Sequence, residues 1–445
     1  MDSTILIKQA TVISDHRRSV RDLYISQGKI EKIAPQINKK ASREINAENL
    51  ILIPGVIDDQ VHFREPGLTH KASILTESRA AVAGGTTSFM EMPNTIPQST
   101  NATELEKKYT KAQRVSPANF SFYLGATNSN IEEVKKVDIQ NVCGIKIFMG
   151  SSTGNMLVDE SQALEKIFIH APTIVTTHCE VEEIIKDNTK KALDKYGHNI
   201  PISAHPEIRN VEACYKSTQK AIQLAQENNT ALHILHISTE EEVQLFHSGE
   251  ISNKNITAEV CVHHLSFSSQ DYKKLGSQIK CNPAIKEKRH KHALWRAIEN
   301  KQLDIIATDH APHTWQEKQN PYLSSPSGVP LVQHSLYCMI DFVKKGMLSL
   351  ERMVELMSHN PAKRFQIKDR GFVQEGQFAD LVLVDLGGTN TVNKNNLRYK
   401  CAWSPFEGRT FESNIKMTIV SGEIAYENGK INEDCKGMRL TFDRS

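Results

Sequence analysis

The 445-residue chain has no apolar run approaching the ~20 residues that a membrane-spanning helix requires. Its start, MDSTILIKQATVISDHRR, lacks a basic stretch followed by a long apolar run, so no secretory leader is expected. It has no CxxC pair. The eight cysteines (143, 179, 214, 261, 281, 338, 401 and 435) are scattered, which argues against a zinc finger or a disulfide framework and predicts reduced thiols in the cytoplasm. Net charge is nearly absent as well. Lys and Arg total 54 and Asp and Glu total 52, giving +2, too little for broad electrostatic capture of nucleic acid or an acidic membrane. There is no Walker-type phosphate loop and no dinucleotide fingerprint. Gly84-Gly85-Thr86 precedes a strand instead of opening a helix. Repeats and low-complexity segments are missing too. What is present is a globular composition, 39% apolar, too apolar for a disordered chain and long enough to bury a sizeable core. Histidine is abundant, at 18 residues, so its positions become the question.

The first ~50 residues alternate apolar and polar side chains, with Gly, Asn or Pro at the joins, and read as short strands. The segments 379–387 and 414–431 have the same texture. A β-rich start and a β-rich end predict one sheet module assembled from both termini, residues 1–52 plus 366–445. Between them, over 53–365, short β-branched runs alternate with helical stretches. Strands are expected at 56–61, 86–92, 120–125, 144–148, 173–178, 231–237, 256–262 and 303–308. Helices are expected at 72–83, 161–170, 211–228 and 288–301, among others. Alternating strands and helices imply a parallel sheet. Eight such units imply a (β/α)8 TIM-type barrel, so the expected fold class is α/β with an appended β-sandwich.

Ligand-type residues recur at the carboxyl ends of these strands. The first leads into Asp58-Asp59-Gln60-Val61-His62-Phe63-Arg64, the fourth carries Lys146, the fifth ends at His178, the sixth at His236 and the eighth at Asp309. In a barrel those ends open on one face, where active sites of the fold lie. A lone histidine would mean little. Three histidines with Asp and Lys, each from a different strand, predict a divalent-metal site. Lysine ammonium is no ligand, but a buried lysine beside cations is driven neutral, and a neutral amine can capture carbon dioxide as a metal-bridging carbamate. The alternative reading of Lys146 is an ion pair with Asp or Glu.

GVIDDQVHFREPG (55–67), GGTTSFMEMPNT (84–95), EVCVHHLSFS (259–268), CNPAIK (281–286) and ATDHAPH (307–313) resemble the dihydroorotases, in the cyclic amidohydrolase branch of the amidohydrolase superfamily. HNPAKRF (359–365) and GQFADLVLVD (376–385) resemble that superfamily's return into its β-sandwich. The resemblance spans essentially the whole chain. It implies reversible cyclisation of N-carbamoyl-L-aspartate to L-dihydroorotate in de novo pyrimidine biosynthesis, the ring amide being attacked by a metal-bound hydroxide. It implies one or two zinc ions per chain, held by His62, an N-carboxylated Lys146, His178, His236 and Asp309. Asp309 would also shuttle the proton. Arg64 and Asn94 would hold the substrate carboxylate, Asn282 and His313 would make further substrate contacts, and the loop at 327–330 would wrap the ring. A homodimer, and an association with aspartate carbamoyltransferase, belong to the same expectation.

Two positions depart from the family pattern. Gln60 stands where the first histidine of an Asp-x-His-x-His motif is expected, and an amide oxygen is a weaker zinc ligand than imidazole. Lys286 stands where an arginine is common; it keeps the charge but loses the planar fork. Two competing functions follow. Allantoinases and dihydropyrimidinases open neutral cyclic amides at the same kind of site, and Arg64 argues against them. A non-catalytic scaffold partnering aspartate carbamoyltransferase would fit Gln60, but not the retention of the other site residues.

Overall fold

The computed structural model of the chain describes residues 4–150 and 156–444. Residues 1–3 and 445, expected in the terminal β module, lie outside the described residues. Eight parallel strand positions form the barrel: Val56–Val61, Thr86–Glu91, Asn119–Phe122 with Leu124–Gly125, Ile145–Phe148, Val175–His178, Leu232–Ile234, Ile256–Cys261 and Ile305–Ala307. Nearly every residue in them is buried, because helices cover the outside and side chains fill the inside. The ring closes through a parallel bridge between Val61 and His310, with the His62 N–H donating to the His310 carbonyl at 2.7 Å. The third strand breaks at Tyr123. Its first part pairs with the second strand and its last part with the fourth.

The helices start and stop where the sequence supplies caps. The expected helix at 72–83 is Ile74–Ala83, because Ser73 accepts the Thr76 N–H and caps it there. Val211–Asn228 is capped by Asn210 and ends at Asn229 in the left-handed conformation. It buries Ala213, Cys214, Ser217, Thr218, Ala221, Ile222 and Ala225, one stripe at helical spacing. The strands expected at 231–237 and 303–308 are shorter, Leu232–Ile234 and Ile305–Ala307. Each stops where the chain turns toward the mouth, with His236 at φ 42° and Asp309 at φ 47°.

Both termini build one β-sandwich domain of nine hydrogen-bonded strands. Ile51–Pro54 from the amino end pairs antiparallel with Leu381–Asp385 from the carboxyl end. The first strand, Ile5–Ser14, is bulged between Ile7 and Ala10, with Gln9 at φ 59°. On one side of the bulge it pairs with Arg43–Asn46, on the other with Ile51–Pro54. The bulge thus lets one strand serve two partners. Leu23, Ile25, Ala47 and Leu52 share a core with Ala379, Leu381, Leu383 and Met417. All eight cysteines are free thiols. No helix among the described residues is long and apolar enough to cross a membrane.

Candidate active site

One small cleft opens at the carboxyl ends of the strands. Gln60, His62, Arg64, Asn94, Lys146, Phe148, His178, His236, Asn282, Asp309, Ala311, Ser327 and Gly328 line it. All the site residues expected from the sequence are therefore at this cleft except His313. That side chain sits behind Arg64, with Nε2 at 3.0 Å from the guanidinium and 3.0 Å from the Ser327 carbonyl. Its Nδ1 meets Lys71 at 3.0 Å. Gly328 is at φ 146°, and a Cβ there would lie 2.3 Å from the Ala311 carbonyl, so only glycine lets the loop come this close. Arg64, His236 and Asp309 all have positive φ. Such backbone is costly for these residue types and gathers at functional sites.

The histidines are arranged as metal ligands usually are. His62 directs Nδ1 at the Asn94 Oδ1, 2.8 Å away, and Nε2 at Asp309, 3.1 Å away. Burial lowers its pKa, so the ring is neutral at physiological pH. With Nδ1 donating, the Nε2 lone pair then faces a carboxylate oxygen, an arrangement that a cation would relieve. His178 donates from Nε2 to Glu180 at 3.0 Å and directs Nδ1 at His236 Nε2, 2.9 Å away. A carboxylate behind an imidazole is the common way to fix a ligating ring. Burial raises Glu180, but Arg209 and His178 outweigh it and hold that carboxyl at about 2. Glu180 was missed in the sequence, although it lies two residues past His178 on the same side of the chain. The donor set thus fits divalent metal on His62, Lys146 and Asp309, and on His178 and His236.

Lys146 is almost fully buried, at 1% exposure, and its Nζ has no hydrogen-bond partner. Among the described residues no carboxylate pairs with it, which removes the ion-pair reading. Burial lowers its pKa to about 7, so much of it is a neutral amine near neutral pH. Gln60 donates from Nε2 to Asp309 at 3.2 Å, so its amide props that carboxylate. Lys286 lies outside this cleft and donates to Ser238 and the Ala284 carbonyl.

Arg64 is buried, and burial lowers its pKa to about 10, so it stays cationic. Nε donates to the Pro312 carbonyl. Among the described residues no carboxylate lies within ion-pair distance. Glu65 instead pairs with Lys111, and Asp58 accepts from Thr308. His310 bridges Glu77 and the Leu331 N–H, and so is structural. The rings of His263 and His264 lie 4.1 Å apart, tilted by 43°, and His264 reaches the Pro283 carbonyl, just past Asn282.

The sequence profile of the amidohydrolase family matches residues 51–425. A dihydroorotase of Methanothermobacter thermautotrophicus is 30% identical over 93% of this chain and 93% of its own length. An allantoinase of Deinococcus radiodurans is 28% identical over 99% of both. The solved structure of an L-hydantoinase (dihydropyrimidinase) from Arthrobacter aurescens superimposes with a TM-score of 0.94 at 27% identity, covering 99% of this chain and 100% of that one.

Proposed function

The chain belongs to the amidohydrolase family, and from that premise we propose that it is a dihydroorotase, interconverting N-carbamoyl-L-aspartate and L-dihydroorotate. The names of its relatives divide between dihydroorotase and allantoinase and do not choose. The observation that carries the choice is Arg64, a buried cation at the cleft with no carboxylate of its own. A buried guanidinium needs an anion, and its planar fork matches a carboxylate with two hydrogen bonds. Dihydroorotate brings that carboxylate. A hydantoin, a dihydropyrimidine or allantoin does not.

Residue roles follow in order. Arg64 clamps the substrate carboxylate, and Asn282, whose buried Oδ1 has no partner, accepts a ring N–H. The clamp converts binding energy into orientation of the reacting carbonyl. His62, Lys146 and Asp309 would hold one zinc, and His178 and His236 with Lys146 a second. Lys146 would be N-carboxylated, its neutral amine adding to carbon dioxide and releasing a proton. Metal at this place supplies a low-pKa water and a polarised amide carbonyl. Asp309 accepts the proton of the attacking water and returns it to the ring nitrogen as the C–N bond breaks. Gln60, donating to the Asp309 carboxylate, keeps it on the line between water and nitrogen. In the reverse direction the same carboxylate removes a proton from the carbamoyl nitrogen.

The test is hydrolysis of dihydroorotate, allantoin and hydantoin by one preparation whose metal content is measured alongside. Turnover of dihydroorotate, and little of the neutral rings, is expected. Turnover of a neutral ring with dihydroorotate inert would assign a sister activity. Metal-replete protein inert toward all three would favour the scaffold.

A further inference from the structure

Below the cleft, inside the barrel, lies a second group of ligand-type side chains that this mechanism does not use. Asp59 comes from the first strand, His233 from the sixth and Glu259 from the seventh, and all three are completely buried. His233 Nε2 lies 3.2 Å from Asp59 Oδ2 and 3.4 Å from Glu259 Oε2. Neither approach has hydrogen-bond geometry. His233 Nε2, both oxygens of Asp59 and Oε2 of Glu259 are left without a hydrogen-bond partner. We propose that Asp59, His233 and Glu259 bind a divalent metal ion of the zinc class, at a site separate from the cleft.

Four observations support it. The first is distance. Zinc bonds to imidazole nitrogen and carboxylate oxygen are ~2.0–2.2 Å, which puts two ligands of a tetrahedral ion about 3.3–3.6 Å apart. The two measured separations are near that edge. The second is orientation. Nδ1 of His233 is engaged by Thr257 Oγ1 at 2.8 Å, which fixes the ring with Nε2 toward the carboxylates. Oε1 of Glu259 accepts the His236 N–H at 3.0 Å, which leaves Oε2 pointing inward. The third is charge. Among the described residues no lysine or arginine pairs with Asp59 or Glu259. Two enclosed carboxylates with one imidazole are costly, and a dication neutralises them. The fourth is donor chemistry, since two oxygens and one nitrogen suit zinc or manganese.

The ion would be tied to the cleft from both sides. Asp59 is the neighbour of Gln60, and Glu259 holds the backbone of His236, whose φ of 42° needs such a restraint. The competing arrangement is a protonated His233 between two carboxylates, with no metal. Anomalous diffraction above and below the zinc edge, on the intact protein grown with zinc, separates the two and does not depend on activity. A peak within bonding distance of His233 Nε2, Asp59 Oδ2 and Glu259 Oε2 is expected, besides any peak in the cleft. Asp59→Asn should lose that peak alone and lower the zinc content by one ion per chain. Being enclosed, this ion should also resist chelator longer than cleft metal. Peaks in the cleft alone, or equal zinc content in the wild type and a folded Asp59→Asn, would overturn the proposal. The wild-type crystal decides even if the variant fails to fold.

Discussion

In the dihydroorotase reading proposed above, Arg64 is the residue on which substrate choice turns. Replacing it with lysine keeps the charge and removes the fork. Arg64→Lys should raise KM for dihydroorotate about 10–100-fold, the loss of roughly 1.4–2.8 kcal/mol of paired hydrogen bonding, with a smaller change in kcat. Unchanged steady-state constants with dihydroorotate would take Arg64 out of the substrate site. At this scale the sequence was informative wherever a residue of the cleft sits at a strand end. His62, Lys146, His178, His236 and Asp309 could be placed on one face before any coordinates, because a parallel barrel sends all those ends the same way. Asn94 carries more than was expected of it, since its Oδ1 is engaged by His62. Asp59, His233 and Glu259 were not legible. Each alone reads as an interior barrel residue, and their meeting depends on strands 174 and 200 residues away from the first.

Between elements, His359 joins three parts of the chain. Its Nε2 accepts the Asp15 N–H at 2.9 Å, its Nδ1 donates to the Gly371 carbonyl at 2.7 Å, and its ring stacks on Phe372. A ring that must accept at one nitrogen cannot be protonated there. Burial lowers its pKa to about 4, from an ordinary value of 6.5. The unfolded chain therefore binds this proton more readily than the folded one. The stabilisation is complete above about pH 6.5 and fades as pH falls toward 4, by at most about 3 kcal/mol. His359→Gln should show a shallower loss of stability than the wild type between pH 7 and pH 4.5, read from urea unfolding at each pH. Parallel curves would mean that His359 takes up its proton as readily in the fold as in the unfolded chain. The sequence put this residue in a family-like segment but could not show its role, because the Asp15 turn lies 344 positions away.

Across the whole molecule, the question is whether barrel and sandwich unfold together. Their junction is a buried polar hub at Asp380. Its carboxylate pairs with Arg370, and it accepts from Asn119 at 3.0 Å and from the Ser421 N–H at 2.7 Å. Its carbonyl accepts the Gly55 N–H at the entry to the first barrel strand. Asn119 belongs to the third barrel strand and Ser421 follows a sandwich strand, so one side chain ties both layers. That two β-rich ends build one module was readable from alternation alone. The hub was not, because Asp380 lies in an apolar run and its partners are distant in sequence. Asp380→Ala leaves Arg370 buried without a counter-charge, which costs about 3–5 kcal/mol when one partner of an enclosed pair is removed. If the hub couples the layers, far-UV circular dichroism and the tryptophan fluorescence, from Trp295 and Trp315 of the barrel and from Trp403, which donates to the His313 carbonyl, will shift together to lower denaturant. A sandwich that melts first, with the tryptophan signal and barrel activity unmoved, would show the two units to be energetically separate.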